Sequence, residues 1–412
     1  MGTRAKSPVH PRFLLYSHDG MGLGHTRRNL AIADALVERC PQASVLLASG
    51  TDDAHRLGLP PRVEILKLPG LRKSNNDEYH SRRLPVRADV IRHLRSSLLE
   101  ATVRSFRPGV VLVDKHPFGA RGEFRAGLEA LKEYGGQAVL GLRDILDEPS
   151  VVRHEWSKYR LQERIAGFYD RVLVYGERSA LDPLVEYDLP EAVAERTRFC
   201  GYVVSRDPAA QAGEASGEFR RQPGERPIVV ATAGGGEDGF TLLENFIDAT
   251  TDSAWRGIVI AGPMIPEPEL ARLRAQASGA NVALHTFIPR LPALFDSIDA
   301  LVCMGGYNTL AEAAAQAVPT VCVPRTAPRA EQLIRARAFD RLGILRLVHP
   351  GELTPGALRT AVAAALATPR ALVRENVEAA LNFDGAHHAA QELLSLAGAP
   401  ARNGEALGAF PR

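Results

Sequence analysis

Short, nearly continuous apolar runs alternate with amphipathic stretches along most of the chain. Segments 13–17, 45–48, 63–68, 110–114, 138–142 and 172–175 have strand length and few polar positions. Between them, segments 29–39, 88–106, 124–134 and 156–168 carry apolar residues at helical spacing. An uninterrupted apolar strand must be covered on both faces, which helices flanking a parallel sheet provide. Right-handed crossovers then predict a doubly wound α/β fold that binds ligands at the carboxyl ends of its strands. Residues 205–227 break the pattern, being rich in Ala, Gly, Pro, Glu and Arg, and read as an interdomain linker. The alternation then restarts. Strands are predicted at 228–232, 257–261, 282–285, 300–303 and 320–323. Helices are predicted at 240–250, 269–276, 291–295, 310–316 and 331–342, with two closing helices at 358–367 and 386–397. The expectation is two Rossmann-like domains, 1–204 and 228–385, joined by the linker.

A length of 412 residues suits two such domains. The net charge of +2 gives no case for a nucleic-acid partner, which calls for a strongly basic face. Cys40, Cys200, Cys303 and Cys322 form no C-x-x-C pair, so neither a zinc site nor a redox motif is signalled. Apolar segment 13–16 is too short for a signal sequence, and no run of about 18 apolar residues occurs. The expected compartment is the cytoplasm. Peripheral membrane contact and the oligomeric state stay open.

Two glycine-rich loops each follow a predicted strand and open a helix. The first is Gly20-Met21-Gly22-Leu23-Gly24-His25-Thr26-Arg27-Arg28, and the second is Met304-Gly305-Gly306-Tyr307-Asn308-Thr309. A helix start behind such a turn gathers free N–H groups and the positive end of the helix dipole, which suits a phosphate. Two of them, one per domain, predict a nucleotide diphosphate held between the domains. Gly22 and Gly24 are expected to supply positive φ or a close backbone approach. His25, at a helix start, is a candidate general base or phosphate contact, the alternative being a simple cap. Glu312 lies about one turn into the second helix and could bind ribose hydroxyls. Its alternative is a capping arrangement with Asn308 or Thr309 as N-cap. Ala233-Gly234-Gly235-Gly236 is a third glycine loop, and Arg325, Glu331 and Gln332 follow another strand, within reach of a sugar or phosphate. Dinucleotide binding is a second reading. The run 45–48 ends in Ser49-Gly50-Thr51-Asp52, which offers no clean acidic residue for a ribose.

The stretch from Phe287-Ile288-Pro289 to Gln332, with the N-terminal G-x-G-H-x-x-R, resembles the MurG-like GT-B glycosyltransferases. The resemblance covers nearly the whole chain. It implies an inverting enzyme that moves a sugar from a nucleotide sugar, UDP-linked, to a hydroxyl acceptor. It puts the base beside Ile288, the phosphates on Gly306, Asn308 and Thr309, the ribose on Glu312, and the sugar on Glu331 and Gln332. The donor then lies on the C-terminal domain and the acceptor on the N-terminal one, and the final helix, 386–397, packs back on the N-terminal domain. The first loop equally resembles nucleotide-sugar hydrolases, in which the histidine is catalytic. A hydrolase, a 2-epimerase or a non-catalytic nucleotide-sugar sensor are the alternatives.

Two loops depart from the MurG pattern: Gly234-Gly235-Gly236 replaces G-G-S, and the first loop is not G-G-T-G-G-H. The acceptor is therefore open between a small molecule and a lipid-linked one. No D-x-D motif occurs, so no metal and no other cofactor is expected. Gly24, Gly234, Gly235 and either Arg325 or Arg329 are then candidates to hold and neutralise the leaving diphosphate. Asp19, Asp114, His116 and Asp144 end strand-like segments, and any of them is an alternative base to His25.

Overall fold

The structure is a computed structural model that describes residues 10–18, 24–51, 58–73, 79–204, 217–280 and 282–398. Asp19, the first glycine loop up to Leu23, and residues 205–216 of the expected linker lie outside the described residues.

The N-terminal strands are β1 (Arg12–Ser17), β2 (Ser44–Ser49) and β3 (Val63–Lys67), followed by a small antiparallel hairpin, β4 (Leu71–Lys73) with β5 (Tyr79–Ser81). Then come β6 (Val110–Asp114), β7 (Gln137–Arg143), β8 (Arg171–Tyr175) and β9 (Thr197–Phe199). Outside the hairpin they form one seven-stranded parallel sheet in the order β3-β2-β1-β6-β7-β8-β9. Leu15 sits opposite Leu47 on one side and Leu112 on the other. Every position of β6 is buried, which is why that segment reads as a continuous apolar run.

The second sheet contains β10 (Ile228–Thr232), β11 (Arg256–Ile260), β12 (Ala283–His285), β13 (Ala300–Cys303), β14 (Thr320–Cys322) and β15 (Arg346–Leu347). All are parallel, in the order β12-β11-β10-β13-β14-β15. Strand order reverses beside β1 in one sheet and beside β10 in the other. Crevices open at such reversals, outside the carboxyl ends of the strands. The first glycine loop follows β1, and the second follows β13.

The chain crosses between the domains at 200–204 and again at 381–385. The two crossings touch: Tyr202 N donates to Asn382 O at 2.7 Å, and Val203 bridges Asp384 antiparallel. Gly201 has φ +84°, and a Cβ there would meet Asn382 O at 2.6 Å, so the approach requires glycine. The last helix, Gly385–Leu396, then lies against the first helix, Gly24–Arg39, and its Ala389 and Leu393 share an apolar cluster with Ile32 and Leu36. Arg171 and Glu392 pair at 2.7 Å beside it.

Several boundaries differ from expectation for local reasons. Segment 156–168 is two helices, Pro149–Lys158 and Leu161–Phe168, broken where Arg160 turns left-handed at φ 50°. Residues 217–227 dock on the second domain. Phe219 is buried there, Arg221 pairs with Asp299 at 2.8 Å, and Arg256 donates to Glu218 O at 2.6 Å. A further helix, Arg370–Ala380, fully buries Val373 and Val377 alone, too narrow a stripe to stand out in the sequence.

Candidate functional site

The first helix begins at Gly24, so His25 stands in its first turn at the carboxyl end of β1. Its ring is mostly covered, with 18% of the side chain exposed. His25 Nδ1 lies 3.0 Å from Oδ2 of Asp114, the last residue of β6. Burial pushes the Asp114 carboxyl up, but Arg28 and His25 outweigh it and hold that carboxyl well below its usual range. Asp114 is thus an ionised partner that orients the imidazole from behind. It is completely buried, which leaves His25 as the member of the pair facing outward. His18 lies nearby, its ring tilted 5.4 Å from that of His25 and edge-on 4.4 Å from that of His116. Burial, and then the neighbouring histidines, hold His18 well below its usual range, so it stays neutral.

Asp144 does not line the cleft. It is completely buried, its Oδ2 accepts from Tyr202 Oη, and its Oδ1 accepts from Ile145 N at 2.8 Å. Burial pushes its carboxyl up. An enclosed group spent on structural hydrogen bonds cannot meet an acceptor hydroxyl, so Asp144 is removed as a candidate base. Asp19 lies outside the described residues.

The second loop opens the helix Tyr307–Ala315. The positive φ belongs to Gly305 at +84°, where a Cβ would also meet Cys322 Sγ at 3.0 Å. Gly306 is the N-cap, and it caps without a side-chain bond. The capping alternative for Asn308, Thr309 and Glu312 is therefore not what the structure contains. Asn308 Nδ2 donates instead across the cleft to Gly24 O at 3.4 Å. Gly24 does not have a positive φ, and a Cβ there would sit 3.2 Å from Asn308 Nδ2, close enough that the Asn308 side chain would have to shift slightly. Thr309 is half-buried beside it.

Glu312 is buried, and Arg27 of the first helix reaches its Oε1 at 2.5 Å. Glu331 accepts from Arg143, at the end of β7, at 2.7 Å. Burial opposes its ionisation, but Arg143, Arg335 and Lys115 bring its carboxyl down to about 2. Gln332 Oε1 accepts from Arg325 N at 3.0 Å, fixing the loop before the helix Glu331–Arg341. Arg325 itself pairs with Asp238 at 2.9 Å, behind the third glycine loop. In that loop Gly234 has φ +66°, and a Cβ on Gly235 would meet Met264 Cε at 2.6 Å. Ile288 is buried in the core.

The two faces thus meet through opposite charges, with Arg329 to Asp147 at 3.0 Å as a further bridge. Lys115, at φ 72° just after Asp114, adds a cation to the N-terminal face; burial, and then Arg143, bring it down to about 8. Sequence reasoning missed Arg27, Arg143 and Lys115, because their partners are remote in sequence. The signal for Arg28 was present: it follows His25 by three positions and shares its helix face. Among the described residues no group of three or more His, Cys, Asp or Glu is placed to hold a metal ion, and no helix is long and apolar enough to cross a membrane.

Known proteins resemble this chain in sequence and in fold. Residues 256–393 match the glycosyltransferase family 28 C-terminal domain. The UDP-N-acetylglucosamine–N-acetylmuramyl-(pentapeptide) pyrophosphoryl-undecaprenol N-acetylglucosamine transferase of Streptomyces collinus is 24% identical over 358 residues, covering 85% of this chain and 88% of that protein. The Mycobacterium leprae enzyme of the same name is 24% identical over 396 residues, covering 94% and 90%. The crystal structure of Acinetobacter baumannii MurG superposes with TM-score 0.59 at 13% identity, covering 93% of this chain and 99% of that one. A UDP-glucose:anthocyanidin 3-O-glucosyltransferase in complex with UDP superposes with TM-score 0.64 at 13% identity, covering 95% and 100%.

Proposed function

We propose that this chain, a MurG-like glycosyltransferase of the GT-B fold that moves a sugar from a nucleotide-sugar donor to an acceptor, works by a single inverting displacement with His25 as its base. The observation that carries the reading is the His25–Asp114 pair, standing at a helix start directly across the cleft from the second glycine loop. His25 Nε2 takes the proton of an acceptor hydroxyl. The hydroxyl oxygen attacks the anomeric carbon as the bond from that carbon to the diphosphate oxygen breaks. The nucleoside diphosphate leaves, carrying the bonding electrons.

On the donor side, the N–H groups behind Gly306 take the diphosphate, with Asn308 and Thr309 beside them. Gly234 and Gly235 let a second stretch of backbone approach, Glu312 takes ribose, Glu331 and Gln332 take sugar hydroxyls, and the Ile288 backbone meets the base. Arg325 adds positive charge where the diphosphate departs, in place of a metal. Uridine is the base we assign, supported by the UDP donors in the relatives' names. The enzyme would work in the cytoplasm, where nucleotide sugars are made.

Peripheral membrane contact is supported by the exposed Leu84, Val86, Val90 and Leu94, which alternate with exposed Arg82, Arg83, Arg87 and Arg92 on one edge of the N-terminal domain. Such a surface suits anionic headgroups and favours a lipid-linked acceptor over a small soluble one.

The test is transfer from UDP-sugars to a panel of small and polyprenyl-linked hydroxyl acceptors, with the product anomer read by NMR. Inversion and UDP release are expected, unaffected by a chelator. Retention of configuration overturns the single displacement, and release of free sugar without acceptor points to a hydrolase. Pelleting with anionic vesicles that ignores an Arg83→Glu/Val90→Glu change rejects the membrane surface.

A further inference from the structure

Arg335, in the helix Glu331–Arg341, is completely buried and takes no part in the contacts assigned to substrate. A guanidinium carries five N–H donors. Here Nη1 donates to Gly305 O at 3.1 Å, while Nε and Nη2 make no hydrogen bond among the described residues. Asp144 and Glu331 feel its charge, but Asp144 is bonded to Tyr202 and Ile145, and Glu331 to Arg143. Arg335 thus has no ion pair among the described residues. Its guanidinium carbon lies 5.5 Å from the ring centre of Tyr307. A buried cation without a close counter-ion costs stability, and an apolar side chain of similar volume would avoid that cost.

The bond to Gly305 O fixes a whole peptide plane. The Gly305–Gly306 peptide is trans, so its C=O and its N–H point in opposite directions. Arg335 draws the C=O inward, which turns the Gly306 N–H outward, to the open end of the helix Tyr307–Ala315. That N–H meets no acceptor among the described residues. Glycine tolerates either sign of φ, so a peptide between two glycines rotates easily unless something holds it. Rotation would put the carbonyl oxygen where the N–H stands and repel an anion. Gly305 has φ +84°, and a Cβ there would sit 3.0 Å from Cys322 Sγ and 3.3 Å from Gln332 O, so no side chain at that position can act as the brake. The hydrogen bond from Arg335 supplies it instead. A carbonyl polarised by a cation also makes the N–H of its own peptide a stronger donor.

We propose that Arg335 is a positioning residue for the departing diphosphate. By holding Gly305 O it keeps the Gly306 N–H aimed at the phosphates, and its buried charge strengthens the field at that helix start. Glu331 and Gln332 open the same helix, so the sugar contacts and the brake on the diphosphate loop share one rigid element. This rests on the reading that the second glycine loop takes the diphosphate.

The experiment measures the dissociation constants of UDP and of uridine, with kcat, for wild type, Arg335→Met, Arg335→Lys and Gly306→Pro. Gly306 has φ −60° and open space at its Cβ position, so proline fits there while removing the N–H. In Arg335→Met, UDP binding should weaken about ten-fold with uridine binding unchanged. Its kcat should fall about 10²-fold, as for a lost oxyanion donor. Arg335→Lys keeps a cation and an N–H for Gly305 O, and should recover most of both. A purely structural arginine would weaken UDP and uridine alike, so equal losses, or no loss, in Arg335→Met overturn the proposal. If that variant does not fold, Arg335→Gln is judged by the same criterion. Gly306→Pro should also lose UDP binding while keeping uridine binding. A Gly306→Pro variant with the wild-type preference for UDP defeats the diphosphate reading of the loop. Loss of that preference in Gly306→Pro but not in Arg335→Met defeats only the role of Arg335.

Discussion

Arg27 and Glu312 meet across the cleft at 2.5 Å, one from the first helix and one from the helix behind the second glycine loop. Burial pushes the Glu312 carboxyl up, and Arg27 only partly offsets this. The carboxylate assigned to ribose is thus already desolvated and held by an opposing domain. A ribose would have to join or displace Arg27 at that carboxylate.

Glu312→Ala should weaken UDP binding by about ten- to a hundred-fold, as a charge-assisted hydrogen bond is worth roughly 1.5–3 kcal/mol. Titration calorimetry measures this. An unchanged affinity would move the ribose contact elsewhere.

Asp114→Asn should lower turnover by about 10²–10⁴ while leaving UDP affinity within a few-fold, because the donor contacts proposed above lie mainly on the other domain. The amide can donate to Nδ1 and so stabilise the wrong tautomer. Rate and affinity falling in proportion would instead mark His25 as a phosphate contact.

Glu177 provides a test in pH. Burial, and then the neighbouring Asp144, push its carboxyl up to about 7. A carboxyl raised on folding costs stability wherever it must ionise in the native state. That cost grows as pH rises from about 4.3, the free glutamate value, towards 7 and is complete above. Glu177→Gln should therefore raise the melting temperature at pH 8 and hardly change it at pH 4. Equal shifts at both values would show that the gain is not electrostatic.

The bridges Arg27–Glu312 and Arg143–Glu331 should hold the domains together. A double Arg27→Ala/Arg143→Ala variant is expected to show a larger radius of gyration by small-angle scattering, reduced again by UDP. An unchanged radius would mean that the remaining contacts, the Arg329–Asp147 bridge and the packing of Tyr202 on Tyr307 and Phe383, suffice.

The fold was legible because parallel strands covered on both faces leave unbroken apolar runs, as β6 and β10 do. The second glycine loop was legible for a similar reason, since Gly305 combines a left-handed backbone with a close approach to Cys322 that a side chain would obstruct. Asp144 misled because an aspartate at a strand end reads alike whether it faces a cleft or Tyr202. Arg27 and Arg143 were invisible because Glu312 and Glu331 lie in the other domain, and no local spacing encodes a contact made by docking. Residues 217–227 read as a linker because one buried Phe219 among charged neighbours produces no periodicity.

The helix Gly385–Leu396 covers the first helix, yet it is the last element of the chain to be described. The half that leaves the ribosome first is therefore the half completed last. Until residues 385–396 emerge, Ile32 and Leu36 lack their cover, and a nascent 1–204 piece presents a sticky face. Truncation just before residue 385 should consequently damage the distant N-terminal domain more than the domain it is cut from.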